Sequence, residues 1–77
     1  MRVRILGSSS DSNCYLLQAD NGEVLMIECG VDFKEVKKAL NFDISNVVGC
    51  LITHEHADHS KYVQKVMDAG VSCYMSR

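Results

Sequence analysis

The chain has 77 residues and a formal net charge of -2, with 47% apolar and 23% charged residues. That length holds one small domain at most, marginally stable without staples or partners. The composition is that of a soluble globular protein; no basic stripe marks a nucleic-acid footprint, and no apolar run approaches membrane-spanning length. The charge leaves nucleic acid open as a partner, because metal ions in a site would add local positive charge.

The N-terminus carries an apolar run far too short for a secretory leader. Arg2 to Leu6 alternates charged and apolar residues and reads as a first strand. Gly7 to Asn13 is a polar loop, read either as an ordinary hairpin loop or as a loop facing an oxyanion; it lacks the lysine of a P-loop. Cys14 to Ala19 is a second strand. Asn21-Gly22 is a hairpin signal, because both residues tolerate positive φ. Glu23 to Glu28 returns as a third strand, and its nearly continuous apolar run predicts burial on both faces.

Asp32 is placed to cap a helix over Phe33 to Leu40, with Phe33, Val36, Lys37 and Leu40 on one stripe. In the loop from Asn41 to Asn46, Phe42 and Ile44 are expected to plug the edge of the core. Val47 to Thr53 is a fourth strand. A second helix runs from Asp58 or His59 to Ala69 and buries Tyr62, Val63, Val66 and Met67, with Gly70 at its C′ position. Val71 to Met75 is a fifth strand, able to lie parallel to the fourth. The cysteines at 14, 29, 50 and 73 show no C-x-x-C pair. They read as small buried apolar residues in a reducing cytosol, with a disulfide framework as the alternative, and the chain is expected to be cytoplasmic.

The fourth strand leads into Thr53-His54-Glu55-His56-Ala57-Asp58-His59-Ser60, which holds all three histidines of the chain. Alternate side chains of an extended segment point the same way, so His54 and His56 can converge on one ion. Asp58 and His59 follow the turn into the helix and can face a second. Imidazole and carboxylate suit zinc, manganese or iron, and two such ions can activate a water. A solvated polar loop is the plainer alternative. The zincin pattern does not fit, because Asp58 occupies the i+4 position from His54.

His54-x-His56-x-Asp58-His59 after an apolar strand resembles the HxHxDH motif of the metallo-β-lactamase fold hydrolases. Leu6 to Ser10, Asn13 to Leu17 and Met26 to Gly30 resemble the opening strands of that superfamily, closest to its YycJ (WalJ) exonuclease branch. The resemblance implies an α/β (α+β) fold: the N-terminal half of an αββα sandwich, with a mixed sheet of about five strands and two helices. Residues 1–77 would form a single partial domain with the C-terminal half absent. It implies His54, His56, Asp58 and His59 as ligands of a divalent metal, with zinc the first expectation and up to two ions in a complete site. Asp58 would also orient the attacking water and take its proton. Glu28, where the family commonly has Asp, would support the metal loop from behind.

The expectation is therefore a metal-dependent hydrolase, nuclease-like and acting on phosphodiesters, inactive alone if truncated. The alternative is a non-catalytic metal-binding or assembly module; a thiol-dependent redox protein is a third reading, needing one cysteine of strongly lowered pKa. Expected partners are a nucleic-acid substrate and a second chain or second copy that completes the fold, with no membrane. A lone half would expose an apolar sheet face, which predicts self-association.

Overall fold

A computed structural model of the chain describes residues 1–9, 12–53 and 62–75. Five strands form one sheet in the order β1 (Arg2–Ser9), β2 (Ser12–Gln18), β3 (Val24–Ile27), β4 (Val47–Ile52), β5 (Cys73–Met75). The first three pair antiparallel, and β3, β4 and β5 run parallel. Helices α1 (Phe33–Ala39) and α2 (Val63–Asp68) occupy the two crossovers. The architecture is thus α+β with a mixed five-stranded sheet and two helices, as the order of apolar runs predicts.

The strands alternate sharply. Cys14, Leu16, Val24, Met26, Cys50 and Ile52 are buried on one face, where Phe33 and Val36 of α1 and Val66 of α2 join them in the core. The other face carries Val3, Ile5, Leu17, Leu25, Ile27, Leu51 and Tyr74, the registered partners of one another across the sheet. No described element covers it, and Val3 and Ile5 are 60% and 63% exposed. The third strand therefore corrects its expectation: Val24 and Met26 are buried while Leu25 and Ile27 are half-exposed. A run of apolar residues cannot reveal which of its two faces finds a cover.

Helix α1 begins where its cap predicts. The Asp32 carboxylate accepts the Lys34 N–H at 3.1 Å, and Phe33 and Val36 face the core. The Arg4 guanidinium donates to the Ala39 carbonyl at 2.6 Å, placing a cation at the helix C-terminus. Gly70 follows α2 with φ of 93°, the left-handed C′ conformation that glycine accommodates without strain.

Three local expectations fail. The hairpin between β1 and β2 is tighter than a seven-residue loop: pairing continues through Ser9↔Ser12, helped by a bulge between Ile5 and Gly7. Phe42 does not plug the core; it is 72% exposed with φ of 63°, while Ile44 packs against the core as expected. Met67 is half-exposed rather than core, because the short α2 presents only Val66 fully to the sheet. At the other turn, Gly22 takes φ of 94° and donates to the Ala19 carbonyl, but Asn21 does not share the positive φ.

Candidate functional site

The carboxyl ends of the parallel strands β3 and β4 lie at one end of the sheet, the usual place for a site in sheets of this kind. The chain leaves β3 through Glu28-Cys29-Gly30, all three residues buried. Glu28 has φ of 66°, a left-handed conformation that costs a non-glycine residue about 1–3 kcal/mol. Its surroundings hold it there. The Glu28 N–H donates to the Leu51 carbonyl at 2.8 Å, extending the β3–β4 ladder by one residue. One carboxylate oxygen accepts the Thr53 N–H at 2.7 Å and the other accepts the Thr53 hydroxyl at 3.0 Å. A buried carboxylate with two donors is satisfied in a way that an unpaired one would not be.

The same end is drawn together from a third side. The Gly30 N–H donates to the Asn13 carbonyl at 2.8 Å, and a Cβ at Gly30 would lie 2.7 Å from the Asn13 nitrogen. A Cβ at Gly7 would collide with the Ser12 carbonyl oxygen. Only glycine permits these close approaches, so the β1–β2 hairpin, the strand exit at Glu28 and the end of β4 are held to one another.

Thiols line the interior behind this end. Cys50 and Cys73 are register partners on neighbouring strands, and Cys14 sits in β2 on the same buried face. None of the four cysteines is in a disulfide. Burial, with Cys29 and Glu28 nearby, pushes the Cys14 thiol up to about 12. A hydrogen bond from the Cys50 thiol lowers Cys29; the same bond, together with burial, raises Cys50. Burial also raises Cys73. Cys29 is only 1% exposed, which shields it from reagents whatever its ionisation.

Of the residues the sequence singles out, His54, His56, Asp58 and His59 lie outside the described residues. Glu28 is placed, and it grips Thr53, the residue immediately before His54. Among the described residues no group of three or more His, Cys, Asp or Glu is arranged to hold a metal ion. Sequence reasoning missed Thr53 as the partner of Glu28, since 25 residues separate them and only the parallel register joins them. It also missed the packing roles of Gly7 and Gly30, for which a glycine directly after an apolar strand is the available signal.

A family model described as anti-Pycsar protein Apyc1 matches residues 6–69, most of the chain. The chain belongs to the Apyc1 family. The anti-Pycsar protein Apyc1 of Bacillus phage 010DV004 is 38% identical over 55 residues, which cover 71% of this chain and 21% of that protein. Those of Bacillus phages vB_BveM-Goe7 and vB_BsuM-Goe3 are each 36% identical over the same shares. The chain thus spans about a fifth of the length of these curated Apyc1 relatives.

The Apyc1 match corrects the reading built on His54, His56, Asp58 and His59. The family named is an anti-Pycsar phage family, not the metallo-β-lactamase fold hydrolases or their exonuclease branch. The expectations of a zinc-dependent, nuclease-like hydrolase and of a non-catalytic metal-binding module give way with it. The physical reason lies in what a short motif reports. Six positions rich in imidazole and carboxylate state which ligands a loop offers, whereas the family match rests on residues 6–69 as a whole.

Proposed function

We propose that this chain serves as a phage anti-defence protein directed against Pycsar, the role its relatives' name gives them. The observation that carries the proposal is the family match over residues 6–69. That region includes every element that converges on the Glu28–Thr53 contact: the end of β1, all of β2, β3 and β4, and the glycines at 7 and 30. We assign the activity to this end of the sheet, where a strained, buried carboxylate fixes the backbone that leads into residues 54–61. Strained residues held by their surroundings cluster at functional sites.

The test is plating efficiency. Bacteria carrying a Pycsar system are challenged with a Pycsar-sensitive phage, with and without expression of this chain. The expected result is restored plaque formation, lost in the Glu28→Ala variant and unchanged in cells that lack Pycsar. Unrestored plating, in cells where the relative from Bacillus phage 010DV004 does restore it, would overturn the proposal.

A further inference from the structure

The turn between β2 and β3 lies at the other end of β3 from Glu28, and its residues carry a chemistry of their own. The chain has four asparagines, and only Asn21 is followed by glycine; Cys14, Phe42 and Val47 follow the others. An asparagine side chain holds an electrophilic carbon within reach of the next backbone nitrogen, which makes asparagine one of the thermolabile residues. A side chain on the following residue obstructs that nitrogen. Gly22 has none, and a Cβ built there would meet nothing within 4 Å. The turn clasps both polar atoms of the Asn21 amide. Its Oδ1 accepts the Glu23 N–H at 3.0 Å, and its Nδ2 donates to Glu23 Oε1 at 2.7 Å. The Gly22 N–H is engaged as well, donating to the Ala19 carbonyl at 3.0 Å.

We propose that Asn21 is a site of spontaneous modification, its amide converted to a carboxylate through attack by the Gly22 nitrogen, with the Glu23 side chain as the gate. The Gly22 nitrogen gives up its proton and bonds to Asn21 Cγ. The Cγ–Nδ2 bond breaks, and Nδ2 leaves as ammonia, carrying a proton in place of the one Gly22 released. A cyclic imide remains. Water then adds to one of its two carbonyls and reopens the ring to an aspartyl or an isoaspartyl linkage at position 21. In sum one water is consumed and one ammonia released, with no change of oxidation state. The closed turn holds this reaction back. Ala19 binds the proton that the nucleophile must lose, and Glu23 pins the Asn21 side chain by both polar atoms rather than leaving it turned onto Gly22. Reaction therefore proceeds from a locally opened turn. Because ammonia is lost, the change is one-way, and the modified fraction grows with the age of the molecule. A carboxylate at position 21 faces Glu23 Oε1 where an amide now donates, like charge against like. The isoaspartyl form also inserts a backbone atom beside Gly22. That disturbs the Ala19 N–H to Glu23 carbonyl bond of 2.8 Å, which leads into the Gln18↔Val24 pair. The inference is independent of the anti-Pycsar proposal, since it uses the other end of β3.

Prolonged warm incubation of the purified chain at neutral pH, followed by peptide mass mapping, tests it. The peptide holding Asn21 should gain the mass of an amide-to-acid exchange and split into separable aspartyl and isoaspartyl forms. Peptides holding Asn13, Asn41 and Asn46 should stay unchanged. Conversion should run at least about tenfold more slowly than in a capped peptide of residues 19–24, where no strands hold the clasp closed. Glu23→Ala removes the acceptor of the Nδ2 bond and should speed conversion about threefold or more. Its far-UV circular dichroism should match the parent's, so that the gain reports the turn and not unfolding. Glu23→Gln keeps an acceptor oxygen and should stay within about twofold of the parent. Asn21→Gln, whose longer side chain closes the corresponding ring poorly, should abolish the reaction. No conversion at position 21 in the parent or in Glu23→Ala, while the peptide converts, overturns the proposal. So does equal conversion at the other asparagines, or a Glu23→Ala chain that converts no faster than the parent.

Discussion

The two faces of this sheet are made by the same five strands and nearly the same kinds of residue, yet one is a core and the other a surface. Met26 is fully buried while Leu25, its neighbour in β3, is half-exposed. Cys50 is sealed beneath the helices while Leu51, one residue on, is 39% exposed. Hydrophobicity does not distinguish these pairs. What does is the side on which α1 and α2 return. Each crossover helix brings a narrow apolar stripe, Phe33 and Val36 in one and Val66 in the other, and both are spent on the same side. The lesson is that strand composition sets how much surface asks to be buried, and topology decides which half is answered within one copy.

The sharpest way to break this contrast is Met26→Ala. Deleting a fully buried side chain should cost about 2–5 kcal/mol, the transfer term plus an unfilled cavity, read as a lowered urea midpoint at unchanged slope. A loss under about 1 kcal/mol would mean the covered face is loosely packed. Next in size is Glu28→Ala at the site end. It leaves the Thr53 N–H without its carboxylate, for an expected loss of about 1–3 kcal/mol, while Glu28→Gln keeps an acceptor oxygen and should lose less. Equal losses for the two variants would show that the carboxylate charge, not the hydrogen-bond geometry, matters. On the open face, Ile5→Ala should change stability by no more than about 0.5 kcal/mol. A core-sized loss there would mean that this face is covered after all.

The smallest expected effect is electrostatic. The Lys34 N–H holds Asp32 below the usual carboxylate range, and Ser45, through its hydroxyl and its N–H, does the same for Asp43. A carboxylate depressed in the folded state contributes stability above its unfolded pKa of about 3.9, and that contribution is lost as pH falls through the lower folded value. Stability should therefore be flat near neutrality and decline in acid, modestly, because both groups are exposed to solvent screening. Chemical unfolding at pH 5.5 and pH 3, with Asp32→Ala and Asp43→Ala, checks this. The variants should show a shallower acid decline, and an identical decline would remove these two groups from the account.

Much of the fold was legible because the signals were local. The Asn21-Gly22 turn, the Asp32 cap, the C′ position of Gly70 and the order of apolar runs each depend on residues a few positions apart, and they place two helices among five strands. Phe42 and Met67 show the limit. Both are large and apolar at positions where a stripe or plug was expected, and both are exposed: Phe42 sits in the left-handed turn after α1, and α2 presents only Val66 fully to the sheet. The candidate site was legible in part. Glu28 stood out as a carboxylate ending an apolar strand, but its partner Thr53 did not, and the pattern of His54, His56, Asp58 and His59 pointed to a family the wider match replaces.

The amino-acid sequence by itself determined the inventory: which segments extend, which coil, where turns require glycine, and that the chain holds more apolar strand surface than two short helices can cover. Only the tertiary structure decided which side of the sheet those helices take, that Glu28 reaches across to Thr53, and that Gly7 and Gly30 allow backbone to meet backbone. The reason is range. Propensity, capping and alternation act over a few residues, whereas burial and strand register are set by segments 20 or more positions apart whose meeting depends on the path of the whole chain.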